Sequence, residues 1–130
     1  MKLSARARDC ERWRWLPGMA GMDALGVPFR LLMPHHSGGA LVAVGTSLVP
    51  AYPEALQRMF PDLKDSATLG CLTQLVRDSW GDPEMFMVLG GSGWVWLSGE
   101  SRVADVSMPI PSSNSIPEAL VNALECGGRL

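Results

Sequence analysis

Residues 61–83 write the start, body and end of a single helix into their side chains. Asp65 offers a carboxylate to the first free amides of a helix. Leu69, Leu72, Leu75 and Val76 then recur at a spacing of three to four residues and form one apolar stripe. Gln74, Arg77 and Asp78 fall on the opposite, wet face. Gly81 suits a left-handed C-cap, and Pro83 forbids continuation. The pattern predicts a helix over 65–80 whose stripe must be covered by another layer of structure. Gly70 sits inside it at a cost of about 1 kcal/mol relative to alanine. The expected reason is close approach of a strand or side chain at that point.

A second helix is predicted over 115–126. Ser115 and Glu118 form a capping box, and Ile116, Leu120, Ala123 and Leu124 make its buried stripe. Gly127 and Gly128 end it.

The remaining segments alternate like strands. Residues 11–15 alternate charge and tryptophan, placing Trp13 and Trp15 on one side and Arg12 and Arg14 on the other. Residues 19–27 are interrupted by glycine and read as a loop. Residues 28–33 and 40–45, the latter extending toward Val49, read as antiparallel neighbours joined by turn chemistry at residues 34–39. Pro53 suits the first turn of a short helix over 53–59. Residues 85–89 and 94–98 flank Gly90, Gly91, Ser92 and Gly93, which is a hairpin signal. Both faces of 94–98 are apolar, so this strand is expected to be central or covered on each side. Residues 102–108 are expected to form a third strand.

These elements predict an α+β fold: a mainly antiparallel sheet with two principal helices packed on one face. The 130 residues predict a single domain, 1–130, able to bury a core without disulfides or metal. Its first 11 residues are expected to be a mobile basic arm or a short helix.

Charge is uneven. Residues 1–14 hold five cations against two carboxylates, a balance of +3, while the remainder carries −5 to give the net −2. An acidic body speaks against direct nucleic-acid binding. Only 18% of residues are charged against 47% apolar, which favours a surface partly covered by a partner. Cys10, Cys71 and Cys126 are odd in number and widely spaced, as expected of reduced thiols in a cytoplasm. Charges interrupt residues 1–15 too often for a signal sequence, and no apolar run is long enough to span a bilayer.

Several phrases resemble small proteins of tailed bacteriophages and prophages whose biochemistry is unassigned. Trp15, Leu16, Pro17, Gly18 and Met19 are similar to that family's opening. Residues 61–83, through Asp65, the stretch 67–72, Leu75, Val76, Arg77 and the run Trp80, Gly81, Asp82, Pro83, carry the closest match. The close matches cover about a quarter of the chain. The resemblance implies phage or prophage origin and expression in the cytoplasm of a bacterial host. It implies no reaction.

No catalytic constellation is present in the sequence. His35 and His36 are adjacent, so on an extended chain they point apart and do not share a metal; they read as an exposed turn. The glycine run 90–93 lacks the helix that a phosphate loop or a nucleophile elbow requires. Cys71, beside the helical stripe, reads as a buried, inert thiol. Cys10 lies near Arg8 and Arg12, without a histidine close in sequence to activate it. No metal, cofactor or disulfide is expected.

Binding is the better-supported expectation. Tryptophan and arginine dominate contact hot spots, and Arg12, Trp13, Arg14 and Trp15 supply both. The competing reading of that segment is an ordinary sheet with snorkelling arginines. Asp78 and Asp82 lie at or past a helix C-terminus, where the macrodipole does not favour them, and with Glu84 are candidates for reading by a basic partner, the competing reading being ordinary solvated charges. The expected function is a non-catalytic phage-encoded binder that inhibits or modulates a host system such as an antiviral defence, in the manner of anti-CRISPR proteins. The expected partner is a host protein or protein–nucleic-acid complex. A self-associating structural or assembly protein is the alternative, and a small enzyme without a recognisable motif the third reading.

Overall fold

In the computed structural model, residues 2–35, 38–99 and 108–127 are described. The order of elements is α1 (Leu3–Asp9), β1 (Ala20–Met22), β2 (Pro28–Pro34), β3 (Ala40–Val44), β4 (Ser47–Ala51), α2 (Pro53–Leu56), β5 (Phe60–Pro61), α3 (Ser66–Trp80), β6 (Phe86–Gly90), β7 (Gly93–Leu97) and α4 (Ile116–Cys126). A five-stranded antiparallel sheet runs β4-β3-β2-β1-β5, and β6 and β7 form a separate two-stranded sheet. The α+β class and the antiparallel pairing are therefore both present.

Helix α3 begins and ends as its sequence dictates. Thr68 N–H donates to the Asp65 carboxylate at 2.9 Å, and Gly81 takes φ 66° at the C-cap. Leu72, Leu75 and Val76 are buried. Helix α4 is capped by Ser115, whose hydroxyl oxygen accepts from Glu118 N–H at 3.3 Å. The two helices pack together, with Trp80 Nε1 of α3 donating to Ala123 O of α4 at 2.9 Å. Ile116, placed in the buried stripe of α4 by its spacing, is instead exposed at the first turn; Ala119 and Val121 join Leu120, Ala123 and Leu124 in the core.

The basic start is a docked helix, not a free arm. Ala7 of α1 is fully buried, and Arg6 reaches α4, donating to Glu125 Oε1 at 2.5 Å and Asn122 Oδ1 at 2.8 Å. The carboxylate of Glu125 raises the Arg6 pKa above its ordinary value, against a smaller opposing effect of burial. The first core unites α1, α3, α4 and the β6–β7 hairpin, through residues such as Ala7, Leu72, Val76, Met85, Trp96 and Leu120. The second lies on one face of the larger sheet, where Phe29, Leu31, Ala40, Val42 and Ala51 meet Leu56 of α2. Trp15 packs against both cores.

Four further expectations from the sequence need correction. Residues 11–15 form no strand: the chain turns there, with Trp13 N–H donating to Cys10 O at 3.0 Å, so their alternation reflects a shared apolar side without sheet pairing. Strand β1 lies inside the glycine-interrupted stretch that reads as loop. It is held between β2 and β5 by backbone pairing, and Ala20 N–H also donates to Thr68 Oγ1 at 2.8 Å. The apolar run after Ala40 is two strands, because Gly45, at φ 60°, lets the chain reverse between β3 and β4. Gly70 is exposed with open space where a Cβ would stand, so no close approach explains it. Residues 102–107 of the expected third strand lie outside the described residues. Met108 N–H does donate to Trp96 O at 2.9 Å, and Trp94 bridges Ser113, so the outer edge of β7 is paired.

Candidate functional site

The segment joining α1 to β1 forms one wall of a surface groove. Pro17 and Gly18 redirect the chain toward the sheet, where Gly18 N–H donates to Leu31 O at 2.7 Å. This brings Trp15 against Phe29, with ring centroids 5.4 Å apart, and the Trp15 indole N–H donates to Leu56 O at 3.0 Å. Trp13 stands edge-on to Trp15, at 5.3 Å and an interplanar angle of 86°. An aromatic ladder Trp13–Trp15–Phe29 thus leads from the loop into the second core.

The groove has a volume of about 700 Å³. Besides Trp13 and Trp15, its lining includes Arg8, Asp9, Arg14, Leu31, Pro34, Pro53, Leu56 and Gln57. Its walls therefore come from α1, the tryptophan loop, the β2–β3 end of the sheet and α2. Arg8 is held in place by Asp9 at 3.0 Å and lies over the Phe60 ring, 4.5 Å from its centroid. The Trp13 indole N–H is buried and, among the described residues, has no acceptor. Such a group carries a desolvation cost that a hydrogen bond would offset.

Of the residues singled out from the sequence, the fold brings Arg14 and Asp78 together. Arg14 Nη2 donates to Asp78 Oδ2 at 3.3 Å, and Asp78 Oδ1 accepts from Gln74 Nε2 at 2.8 Å. Arg12, Trp13, Arg14 and Asp78 line a smaller cleft between the loop and α3, of about 290 Å³. Arg12 is exposed. Asp82 is engaged within the fold: Oδ2 accepts from Ser98 Oγ at 3.2 Å and Gly99 N–H at 3.0 Å, and Oδ1 accepts from Glu84 N–H at 3.2 Å. That pattern gives Asp82 the work of tying the end of β7 to the turn after α3. Glu84 is exposed in the same turn. Neither Asp82 nor Glu84 lines the tryptophan groove.

The contributions of Arg8, Leu31, Pro34, Leu56 and Gln57 are not legible in the sequence. They converge from separate elements and share no spacing. The one local signal is Pro53, which marks the start of α2.

Among the described residues, no group of three or more His, Cys, Asp or Glu side chains is placed to hold a metal. His35 lies in a turn, with Gly38 N–H donating to its carbonyl at 3.0 Å. Cys10, Cys71 and Cys126 are not joined by disulfides. Burial, aided by the nearby Asp65 charge, pushes the Cys71 thiol pKa above its ordinary value, and Cys71 Sγ donates to Pro17 O at 3.5 Å. Cys71 therefore stays protonated at neutral pH, a poor nucleophile. Among the described residues, no helix is long and apolar enough to cross a membrane. What the site presents is a half-apolar trough floored by indole rings and edged by guanidinium and carboxylate groups. No protein-family model, curated protein or solved structure matches the chain.

Proposed function

We propose that this chain is a phage- or prophage-encoded protein that acts in the host cytoplasm by binding a bacterial protein, without catalysis. Its effect is to inhibit or modulate a host system such as an antiviral defence. The observation that carries this reading is the groove built on Trp13 and Trp15. Tryptophan and arginine supply most of the energy in protein–protein hot spots, and here two indoles and two guanidiniums line one depression. The partner side chain best suited to it is apolar, seated against the paired indoles, with a carboxylate beside it for the guanidiniums of Arg8 and Arg14. An interface of ordinary size buries about 800 Å² per partner, which a chain exposing 7592 Å² can supply.

The test is capture of a host protein from the lysate of an infected or lysogenic bacterium by wild-type protein, Trp13→Phe and Arg14→Glu. Trp13→Phe keeps an aromatic ring and removes the unpartnered N–H. The reading expects one stoichiometric host protein with the wild type and weaker capture with each variant. Equal capture by all three removes the groove from the function. Turnover of any substrate that depends on a single polar side chain removes the non-catalytic reading altogether.

A further inference from the structure

The geometry points to β6 as a self-pairing edge, through which two copies of this chain join their β6–β7 hairpins into one four-stranded antiparallel sheet across a two-fold axis. This inference is independent of the tryptophan groove.

The other sheet edges are guarded. Strand β4 carries Pro50, which lacks the N–H a neighbouring strand would need. Strand β5 is two residues long, contains Pro61 and is covered by α1, whose Arg8 lies over Phe60. The outer edge of β7 is occupied by Ser113 and Met108. Among the described residues, strand β6 has none of these devices. Its five residues, Phe86–Gly90, include no charge and no proline, and Leu89 is 67% exposed.

Hydrogen-bond parity shows what that edge offers. Trp94 exchanges both backbone bonds with Ser113, and Trp96 O accepts from Met108, so the backbone groups of Trp94 and Trp96 face away from β6. Their register partners on β6 are Leu89 and Met87. In an antiparallel ladder, residues directly opposite either exchange both bonds or neither. The N–H and C=O groups of Met87 and Leu89 therefore point to the open edge, among the described residues, while those of Phe86, Val88 and Gly90 face β7.

A two-fold axis through Val88 uses all four groups. Met87 of one copy falls opposite Leu89 of the other, and each such pair exchanges two hydrogen bonds, four in all. Val88 faces its own counterpart in a non-bonded pair. The same register places the exposed Glu84 opposite Ser92, so that carboxylate does not face its own counterpart. A strand without charge is self-compatible in a way that a charged strand is not. These features commit the edge to a second copy of this chain.

Sedimentation equilibrium on the full chain tests this. The expected species is a dimer of twice 14.0 kDa. Leu89→Pro removes an N–H that β7 does not use, and by symmetry it deletes two intermolecular bonds; dimer affinity should fall by roughly tenfold or more. Val88→Cys should form an intermolecular disulfide under mild oxidation, because a non-bonded antiparallel pair brings Cα atoms to about 4.5 Å. The wild type, with its three cysteines, is the baseline for that crosslink. A monomer at all accessible concentrations overturns the proposal, as does a dimer that Leu89→Pro leaves unchanged and Val88→Cys fails to trap. Protection of the β6 amides from hydrogen exchange only when a different protein is added gives the edge to another occupant and also overturns it.

Discussion

Arg14 and Asp78 meet at 3.3 Å although 64 residues separate them in the chain. The pair links the tryptophan loop to the wet face of α3. Both side chains are largely open to solvent, at 64% and 46% exposure. Exposed pairs of this kind contribute about 0–1 kcal/mol. Asp78→Lys should therefore leave the denaturant midpoint almost unchanged. It should slow association with a basic host partner, and added salt should do the same to the wild type. If stopped-flow association is insensitive to both, electrostatic steering has no part in recognition.

Arg30 and Asp65 form a tighter unit. Arg30 donates to both Asp65 oxygens, at 2.8 and 3.2 Å, while Asp65 caps α3. The guanidinium first, then the Thr68 amide, holds the Asp65 pKa well below the usual carboxylate range. A depressed carboxylate contributes stability that is fully present above its unfolded pKa, about 3.9. That contribution is lost progressively as pH falls below this value toward the folded pKa. Asp65→Asn should flatten the acid limb of the stability–pH curve and leave the neutral region lower. Asp65→Ala should cost about 1–2 kcal/mol at neutral pH through the lost cap. Urea melts between about pH 2 and 7 check both.

Gly70→Ala should stabilise the chain. The position is helical and exposed, and nothing lies within 4 Å of an added Cβ. The expected gain is about 1 kcal/mol, read as a higher melting temperature. Gly39→Ala should do the reverse, since its Cβ would collide with the Ala51 carbonyl across the β3–β4 hairpin.

Trp96 is 1% exposed, and its indole N–H donates to Ala119 O at 3.0 Å, fixing β7 to α4. Trp96→Ala should cost about 3–5 kcal/mol by opening a cavity in the first core. Trp96→Phe should cost less, because an aromatic ring remains while one hydrogen bond is lost. Guanidinium unfolding of the two variants separates packing from the bond.

The helices are legible because their signals are local. Asp65, Gly81 and Pro83 act on the backbone within a turn of themselves, and the α3 stripe is apolar whatever covers it. Strand β1 is not legible, because Ala20 and Gly21 carry no alternation and their pairing comes from β2 and β5. Residues 11–15 show the converse failure: a period of two satisfied by two indoles on one side, with no strand to pair. The candidate site follows the same division. Trp13 and Arg14 declare themselves by residue type. The groove exists only because Leu56, Pro34 and Arg8 arrive from elsewhere, and the Arg14–Asp78 contact depends on how α3 lies against the loop. Asp82 reads in sequence as a free acid, and only the fold reveals its two donors at the end of β7.

Trp15 touches both cores and also lines the groove. The recognition surface and the keystone between the two halves of the chain are thus one indole. Any molecule that seats against it binds the folded state alone, since the unfolded chain has no such junction. Its occupancy is then registered by the whole chain as a rise in melting temperature that grows with ligand concentration. A thermal-shift screen can therefore find an occupant without a functional assay, whichever host process that occupant belongs to.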